Sequence, residues 1–249
     1  MILTFKLKHD NGLYQAFDLG ITKQTAVNMD GKVFEVKNIR PDLYWNKTID
    51  MITGRRDHCI KHTKTNCRPS SRKWSILNNI KRKFENKRSN QILDFQHKTA
   101  LMIVKNTRAN TIVVGDLDVK SMPKSKKANR GMNRSTQGTG YLARFTGFLT
   151  YKAERVGKKA IEISERNTTK MCCCCGKMHD MPTWKRVMKC DCGNEIDRDR
   201  NSAINIMLRF LSQNALWTSY QQFVDNLRTG SGIVISPGRS QEAPCESGV

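Results

Sequence analysis

Two close pairs of cysteines constrain the fold of this chain more than any other feature of its sequence. Cys172 and Cys175 form a C-x2-C pair, and Cys190 and Cys192 form a C-x-C pair after an intervening loop. Thiolates are soft donors, and four of them satisfy a tetrahedral zinc ion with no open coordination position. We therefore expect a structural zinc ion at these four residues, and a cluster of free buried thiols is the alternative.

Two further cysteines, Cys173 and Cys174, stand inside the first pair and leave its register open. The chain has nine cysteines, and an odd total with six of them crowded into residues 172–192 indicates a metal site in a reducing compartment rather than a disulfide framework. Four upstream residues could ligate a second metal: His58, Cys59, His62 and Cys67. Because their spacing matches no compact metal-binding motif, we interpret that stretch as solvated or RNA-facing.

The net charge of +22 predicts a polyanionic partner. Lys and Arg number 44 against 22 Asp and Glu, and each phosphate that a cation neutralises releases condensed counterions. A membrane is the rival polyanion, but no apolar run approaches the ~20 residues of a spanning helix, and no signal peptide opens the chain. We therefore expect a soluble intracellular protein. Candidate nucleic-acid-binding residues lie in a basic aperiodic loop and between the cysteine pairs: Lys120, Lys124, Lys126, Lys127, Arg130, Arg134, Lys185 and Arg186.

The predicted strands lie in three parts of the chain. Residues 15–21 predict a strand that leads into a turn, and residues 25–36 predict a hairpin with a two-residue turn at Asp30 and Gly31. Residues 111–114 form a short apolar run, which is typical of a strand buried on both faces. Residues 160–165 alternate as a further strand would.

Helical periodicity appears in four segments, at residues 74–84, 92–104, 142–156 and 201–211. His97 lies in the second of these, where we expect it to pack in the core or at its boundary. From Thr229 onward Gly, Ser and Pro dominate, which predicts a disordered tail. The order of elements favours a mixed α/β layer fold whose last helix follows a small metal module.

Several acidic residues stand at the ends of predicted elements. Asp18 lies in an apolar strand, where a charge is costly unless it is paired or ligates a metal. Asp197 and Asp199 open the last helix, whose N-terminal dipole favours anions. Cleavage of phosphodiesters by two metals requires carboxylates that converge from separate elements, and magnesium takes such hard oxygen ligands. Simple capping of the helix is the alternative, and this reasoning leaves both open.

Four motifs occur in the order seen in TnpB proteins: FDLGI at residues 17–21, IVVGDLDVKSM at 112–122, the four-cysteine module, and DRDRNSAINI at 197–206. The chain thus resembles these transposon-encoded, RNA-guided nucleases, which are related to the effectors of type V CRISPR systems. The resemblance covers about residues 13–212. It implies an RNase H-like (RuvC-like) mixed sheet with flanking helices and an inserted four-cysteine zinc ribbon. It also implies cleavage of DNA selected by a guide RNA, with catalytic magnesium, in the nucleoid-associated cytoplasm of a prokaryote.

The resemblance carries over two of the family's three catalytic acids. Asp18 matches the first acid and Asp199 the third, while Asp197 is expected to open or support the helix. The family's second acid is a Glu directly before Asp-Leu at the end of the middle strand, where this chain has Gly115. Glycine has no side chain to bind a metal, so another carboxylate must reach the site or the site is inactive.

Glu165 is the predicted substitute for the second acid. It continues the apolar face of the strand at residues 160–165 and stands just before the cysteine module, whereas Glu162 points to the other face. Asp116 and Asp118 are nearer in sequence to Gly115. Asp116 is the poorer substitute, because a one-residue shift along a strand turns a side chain to the opposite face.

The expected domain boundaries follow from the resemblance. Residues 1–167 form the first part of the nuclease core, 168–194 the zinc-ribbon insertion, 195–227 the closing helix of the core, and 228–249 the tail. The family has an N-terminal β-domain with a helical insertion before the first aspartate, and few residues precede Asp18 here. We therefore expect an N-terminally truncated copy, a split gene or a minimal derivative. An RNA-guided endonuclease, a nuclease-inactive RNA- or DNA-binding protein and an inactive fragment all stay open.

Overall fold

The computed structural model describes residues 8–59, 71–116, 144–182 and 184–235 of the chain. A five-stranded mixed sheet lies at its centre, in the spatial order 3-2-1-4-5. Its strands are β1 (Tyr14–Leu19), β2 (Lys23–Asn28), β3 (Val33–Lys37), β4 (Thr111–Asp116) and β5 (Lys159–Ser164). The first three strands pair antiparallel, whereas β4 runs parallel to both β1 and β5. The predicted mixed α/β fold is therefore confirmed.

Helices cover both faces of this sheet. They are α1 (Pro41–His58), α2 (Arg72–Asn106), α3 (Phe145–Arg155), α4 (Arg198–Gln213) and α5 (Trp217–Ser231). Successive residues of β1 point to opposite faces, so Ala16 belongs to the core beneath α4 and α5, while Phe17 belongs to the core beneath α2 and α3. Every residue of α4 from Asn201 to Leu211 is buried, which fixes the start of this helix against the sheet.

The hairpin between β2 and β3 has a three-residue loop, so the prediction of a two-residue turn was wrong. The N–H of Asn28 donates to the carbonyl of Lys32 at 3.1 Å, and the N–H of Gly31 donates to the carbonyl of Asn28 at 3.0 Å. Gly31 has a φ of +73°, the left-handed conformation that closes such loops. The loop consists of Met29, Asp30 and Gly31, and the side chain of Met29 is buried in the core.

Two features of the helical layer differ from the sequence prediction. The predicted helices at 74–84 and 92–104 are one continuous helix, α2, because no Pro or Gly interrupts the polar residues between them. Helix α1 was not predicted. Its apolar buried residues are Ile49 and Ile52, so it packs against α2 without the broad apolar stripe that reveals a helix in a sequence.

The folded part of the chain extends past the predicted boundary at residue 228. Residues 228–231 belong to α5, which is followed by Gly232 in the left-handed conformation at φ +70°. The prediction of a disordered tail was wrong for these residues, because the buried Phe223 and Leu227 hold the helix against the core despite Gly230. Residues 236–249 lie outside the described part.

The other predicted elements are confirmed within a few residues. The apolar run at 111–114 lies in β4, the alternating run at 160–165 lies in β5, and the stripes at 142–156 and 201–211 lie in α3 and α4. His97 stacks on Phe148, with ring centroids 4.1 Å apart, at the boundary of the core. Among the described residues no helix is both long enough and apolar enough to cross a membrane. The basic loop at 120–134, Asp118, His62 and Cys67 lie outside the described part.

Candidate carboxylate site and metal centre

Four cysteine sulfurs gather at the small hairpin formed by β6 (Val187–Lys189) and β7 (Glu195–Asp197). The Sγ atoms of Cys172, Cys175, Cys190 and Cys192 all lie within 4.8 Å of one another. The Cys175–Cys190 pair is separated by 3.5 Å and the Cys172–Cys192 pair by 3.7 Å. A tetrahedron with metal–sulfur bonds of ~2.3 Å has edges of ~3.8 Å, so these cysteines fit a tetrahedral ion. The grouping also shows which cysteines of the first segment belong to the cluster: Cys172 and Cys175, and not Cys173 or Cys174.

The remaining groups around the sulfurs support the cluster. The Asn194 side-chain amide donates to Cys172 Sγ at 3.3 Å, and His179 Nε2 lies 3.1 Å from Cys190 Sγ. Hydrogen bonding with the Cys174 thiol lowers the pKa of the Cys172 thiol to about 3, which favours the thiolate that binds metals. Sequence reasoning found no signal for His179, because it belongs to no recognisable spacing with the cysteines.

Asp18 and the start of α4 meet on one face of the sheet. Asp18 is 9% exposed in β1, and the Ser202 hydroxyl donates a hydrogen bond to its carboxylate. Asp197 is the N-cap of α4, and its Oδ1 accepts from the N–H groups of Asp199 at 3.0 Å and Arg200 at 3.2 Å. The predicted helix-opening role of Asp197 is therefore confirmed, and it aims the first turn of α4 towards Asp18.

Glu165 occupies the space above Gly115. Gly115 pairs with Ile163 in β5, so a residue two positions later returns to the same face just beyond the strand. A Cβ atom on Gly115 would lie 2.5 Å from Glu165 Oε2 and 2.9 Å from Ile206 Cδ1. The Glu165 carboxyl group thus fills the place that a side chain at position 115 would take.

Glu165 Oε2 is a buried oxygen with no hydrogen-bond partner among the described residues. A buried acceptor without a partner costs about 1–3 kcal/mol, and a carboxylate costs more unless a cation compensates it. Asp116, the other nearby acid, is exposed at the end of β4 and is not buried as Glu165 Oε2 is. The structure therefore brings Asp18, Glu165 and Asp199 to one region, and it leaves one oxygen there unsatisfied.

The cysteine cluster and part of the carboxylate site lie within a region that known proteins share. A model of the Cas12f1-like TNB domain matches residues 143–206, which contain the cysteine cluster, Glu165 and the start of α4. A TnpB-like protein of Acanthamoeba polyphaga mimivirus is 31% identical over 146 residues, which are 58% of this chain and 28% of the viral protein. These two matches support a TnpB-family protein. A Streptomyces pristinaespiralis protein named "Putative RNA-guided DNA endonuclease" is 29% identical over 143 residues, 57% of this chain and 34% of its own.

Solved structures share the fold of this chain. A Cas12f1 complex with single guide RNA and target DNA matches with a TM-score of 0.53 and 19% identity, over 80% of this chain and 50% of that one. A CRISPR-Cas12f ternary complex matches with a TM-score of 0.54 and 17% identity, over 83% and 40% of the two chains. The chain spans about a third or less of the length of the two curated relatives.

Two of the three carboxylates in this region have strongly raised pKa values. Burial, together with the charge of Asp199, raises the pKa of Asp18 to about 7. Burial, together with the charges of Asp18 and Asp116, raises the pKa of Glu165 to about 8. Both carboxyl groups are therefore harder to ionise than in water. A bound cation would favour their ionised forms.

Lys23 and Arg198 approach the same group of acids from its solvent side. Lys23 Nζ lies 3.2 Å from Asp197 Oδ1 and 3.8 Å from Asp199 Oδ2, while Arg198 Nε lies 3.3 Å from Asp199 Oδ1. Burial acts to lower the pKa of Lys23, but hydrogen bonds to Glu35 and Asp197 outweigh it and the pKa is raised. Sequence reasoning missed Lys23, because its partners at α4 lie far along the chain.

The three acids are less tightly grouped than the cysteines. Among the described residues, the cysteine cluster is the one set of three or more Cys, His, Asp or Glu side chains whose ligand atoms all lie within 4.8 Å. Of the basic candidates, Lys185 is half-buried and Arg186 is exposed on the loop of the cysteine module, beside Trp184 at 79% exposure. The other six basic candidates, from Lys120 to Arg134, lie outside the described part.

In magnesium-free buffer, the free energy of unfolding is expected to fall as the pH rises from about 5 to about 8. Folded Asp18 and Glu165 have pKa values of about 7 and 8, against about 4 in an unfolded chain. The folded state therefore binds more protons, and stability that is complete below pH ~4 is lost as the pH rises through both folded values. The loss should be several kcal/mol, since each of the two groups contributes ~1.4 kcal/mol per pKa unit that is crossed.

Urea unfolding at pH 5 and pH 8 measures this difference. The double variant Asp18→Asn and Glu165→Gln should show a much flatter profile, since neither side chain titrates. Stability that rises between these two pH values in the parent chain would contradict the assignment.

Proposed function

We propose that this chain carries the nuclease centre of a TnpB-type, RNA-guided DNA endonuclease that hydrolyses phosphodiesters with magnesium. The observation that carries the proposal is the Glu165 carboxyl group above Gly115. Its buried Oε2 has no partner among the described residues, and its pKa is raised beside Asp18. The Glu165 carboxyl group thus lies where the side chain of the family's second Glu would stand. This argues against the idea that Gly115 has left the nuclease centre without its second acid.

Asp18, Glu165 and Asp199 are the proposed magnesium ligands. Bound magnesium supplies Lewis-acid stabilisation of the phosphate and an activated water. The chain itself holds Asp18 in β1, with the Ser202 hydroxyl fixing its carboxylate, and Asp199 on the first turn of α4. Lys23 and Arg198 lie next to Asp199 at the solvent side, where their charge attracts a phosphate backbone.

The cysteine cluster is proposed as a structural zinc site within a zinc-ribbon insertion at residues 168–194. The remainder of the described chain, within 1–167 and 195–227, is proposed as a RuvC-like (RNase H-like) core. The position of α4 supports this division, because the helix starts directly after β7 of the cysteine module and carries Asp199 to the sheet. Zinc would hold the start of α4 in place.

Guide RNA and DNA are the proposed partners. The net charge of +22 supports a polyanionic ligand, and the matched Cas12f1 structure is a complex with single guide RNA and target DNA. A nuclease-inactive RNA- or DNA-binding protein is the second candidate. Gly115 and the looser grouping of the three acids favour that candidate.

The purified chain is expected to contain about one zinc ion per molecule, since four thiolates saturate one tetrahedral ion. Changing Cys175 and Cys192 to Ser should remove the zinc and lower the free energy of unfolding by several kcal/mol. Elemental analysis and urea unfolding measure both effects. The variant Cys59→Ser is the control, because this thiol lies on α1's C-cap, away from the cluster. Full zinc content in the double variant would disprove the site.

Changing Glu165 to Gln should reduce magnesium-dependent nicking at least about 30-fold, because removing one charged metal ligand costs ~2 kcal/mol or more of transition-state stabilisation. Nicking of single-stranded and supercoiled DNA is measured with and without the RNA that co-purifies with the chain. Glu162→Gln is the matched control: Glu162 lies in β5, three residues before Glu165, faces away and is exposed.

The outcomes separate the two candidate functions. Intact nicking by Glu165→Gln, with loss in Asp199→Asn, would leave the nuclease in place and remove Glu165 from it. Tight binding of RNA or DNA by the parent chain without any nicking in magnesium or manganese would establish the second candidate.

A further inference from the structure

A cavity of about 330 Å³ lies on the side of the sheet opposite the carboxylates. It is lined by residues at the start of β1, along the β2–β3 hairpin and at the end of α2, including Gln15, Asn28 and Phe34. Gln15 and Asp18 are three positions apart on β1, so their side chains point to opposite faces about 10 Å apart along the strand. The cavity is therefore separate from the proposed nuclease centre.

The interior of this cavity offers amide groups. The side chain of Gln15 is more than nine-tenths buried, and its Oε1 has no hydrogen-bond partner among the described residues. A buried acceptor without a partner is destabilising, so the Gln15 side chain makes this end of the cavity polar. Asn28 lines the cavity beside it, because Asn28 pairs with Gln15 across β1 and β2.

The rim of the cavity combines an aromatic ring with positive charge. Phe34 is 48% exposed, although a large apolar ring in a sheet ordinarily packs inward. Lys32 and Arg108 flank it as exposed lining residues, and neither forms an ion pair with a carboxylate of the described part. A ring beside unneutralised cations is the arrangement that stacks a base while neighbouring phosphates are neutralised.

We propose that this cavity binds one unstacked base of a single-stranded nucleic acid. The base stacks on Phe34 with its polar edge towards the Gln15 side chain, and the adjoining phosphates contact Lys32 and Arg108. A volume of about 330 Å³ suits a single nucleoside, at the small end of the ~300–1,000 Å³ that ligand pockets span. A duplex cannot enter it, and a purely apolar ligand would leave the cations of Lys32 and Arg108 unused.

Photocrosslinking of the full chain tests the proposal. The probes are 12-nucleotide single strands that carry either 4-thiouridine in RNA or 4-thiothymidine in DNA. Mass spectrometry should find the crosslink within the peptides that contain Phe34 or Arg108. Crosslinks with the RNA probe alone assign an RNA strand, and crosslinks with the DNA probe alone assign a DNA strand. The absence of crosslinks to these peptides with either probe would overturn the proposal.

Affinity measurements provide the second arm. Phe34→Ala should weaken binding of the crosslinking probe about 5- to 30-fold, the effect of losing one stacked base, while Phe34→Trp should retain it. Arg108→Gln should weaken binding and should also reduce, by about one, the slope of the logarithm of the binding constant against the logarithm of the salt concentration. Trp217→Ala removes a similarly exposed ring on α5 and should change nothing.

Two results would contradict the proposal. Equal binding by Phe34→Ala and the parent chain would exclude stacking. Displacement of the probe by polyglutamate as readily as by the unlabelled oligonucleotide would show that charge alone governs the surface. Both readouts are independent of cleavage, so they stand whether or not the proposed nuclease is active.

Discussion

Asp18→Asn is expected to abolish magnesium-dependent nicking and, at the same time, to stabilise the folded chain. The substitution removes a proposed metal ligand, for which a loss of at least about 100-fold in rate corresponds to ~2.7 kcal/mol of transition-state stabilisation. It also removes a buried carboxylate whose pKa is raised to about 7 by burial and by Asp199. At pH 8 the parent chain must keep that group ionised in the interior, and the variant does not.

The combination of lost activity and gained stability distinguishes this result from misfolding. Nicking of supercoiled DNA is measured alongside urea unfolding at pH 8 in the same preparations. Asp225→Asn is the control, since Asp225 is an exposed carboxylate on α5. A variant that nicks normally would exclude Asp18 from the centre. A variant that is inactive but less stable than the parent would assign Asp18 a structural role instead.

Gly115→Glu is expected to lower the free energy of unfolding by about 3 kcal/mol or more, in the upper range for overpacking a core. The first atom of the new side chain would lie 2.5 Å from Glu165 Oε2 and 2.9 Å from Ile206 Cδ1. The new carboxylate would also share the interior with Glu165 and Asp18. We therefore expect position 115 to accept an acidic side chain only when Glu165 is replaced by a smaller residue.

The double variant Gly115→Glu and Glu165→Gly tests this directly. It returns the second acid to the position that the family uses, and it should recover at least half of the stability lost in the single variant. The double-mutant cycle gives the coupling between the two positions. Gly54→Ala is the control, because a Cβ at Gly54 on α1 meets nothing within 4 Å. Additive effects at positions 115 and 165 would show that the two side chains do not share one space.

Much of the sheet and of the cysteine cluster was predictable because their signals are local. Strand alternation placed Glu165 on the same face as Ile163, and β5 has that orientation. The spacing of the cysteine pairs identified all four residues of the cluster. Helix α1 was not predictable in this way, because it contacts α2 through few apolar residues and its surface is otherwise polar.

The sequence by itself determined the resemblance to TnpB proteins, the order of the strands along the chain and the four clustered cysteines, because each depends on residue types at short, fixed spacings. The tertiary structure alone decided that the Glu165 carboxyl group lies over Gly115 and that Lys23 lies beside Asp199. It also decided that Gln15 and Phe34 line one cavity. These contacts join residues from different elements, and their positions depend on the packing of α4 and the hairpin on the sheet, which no local pattern encodes.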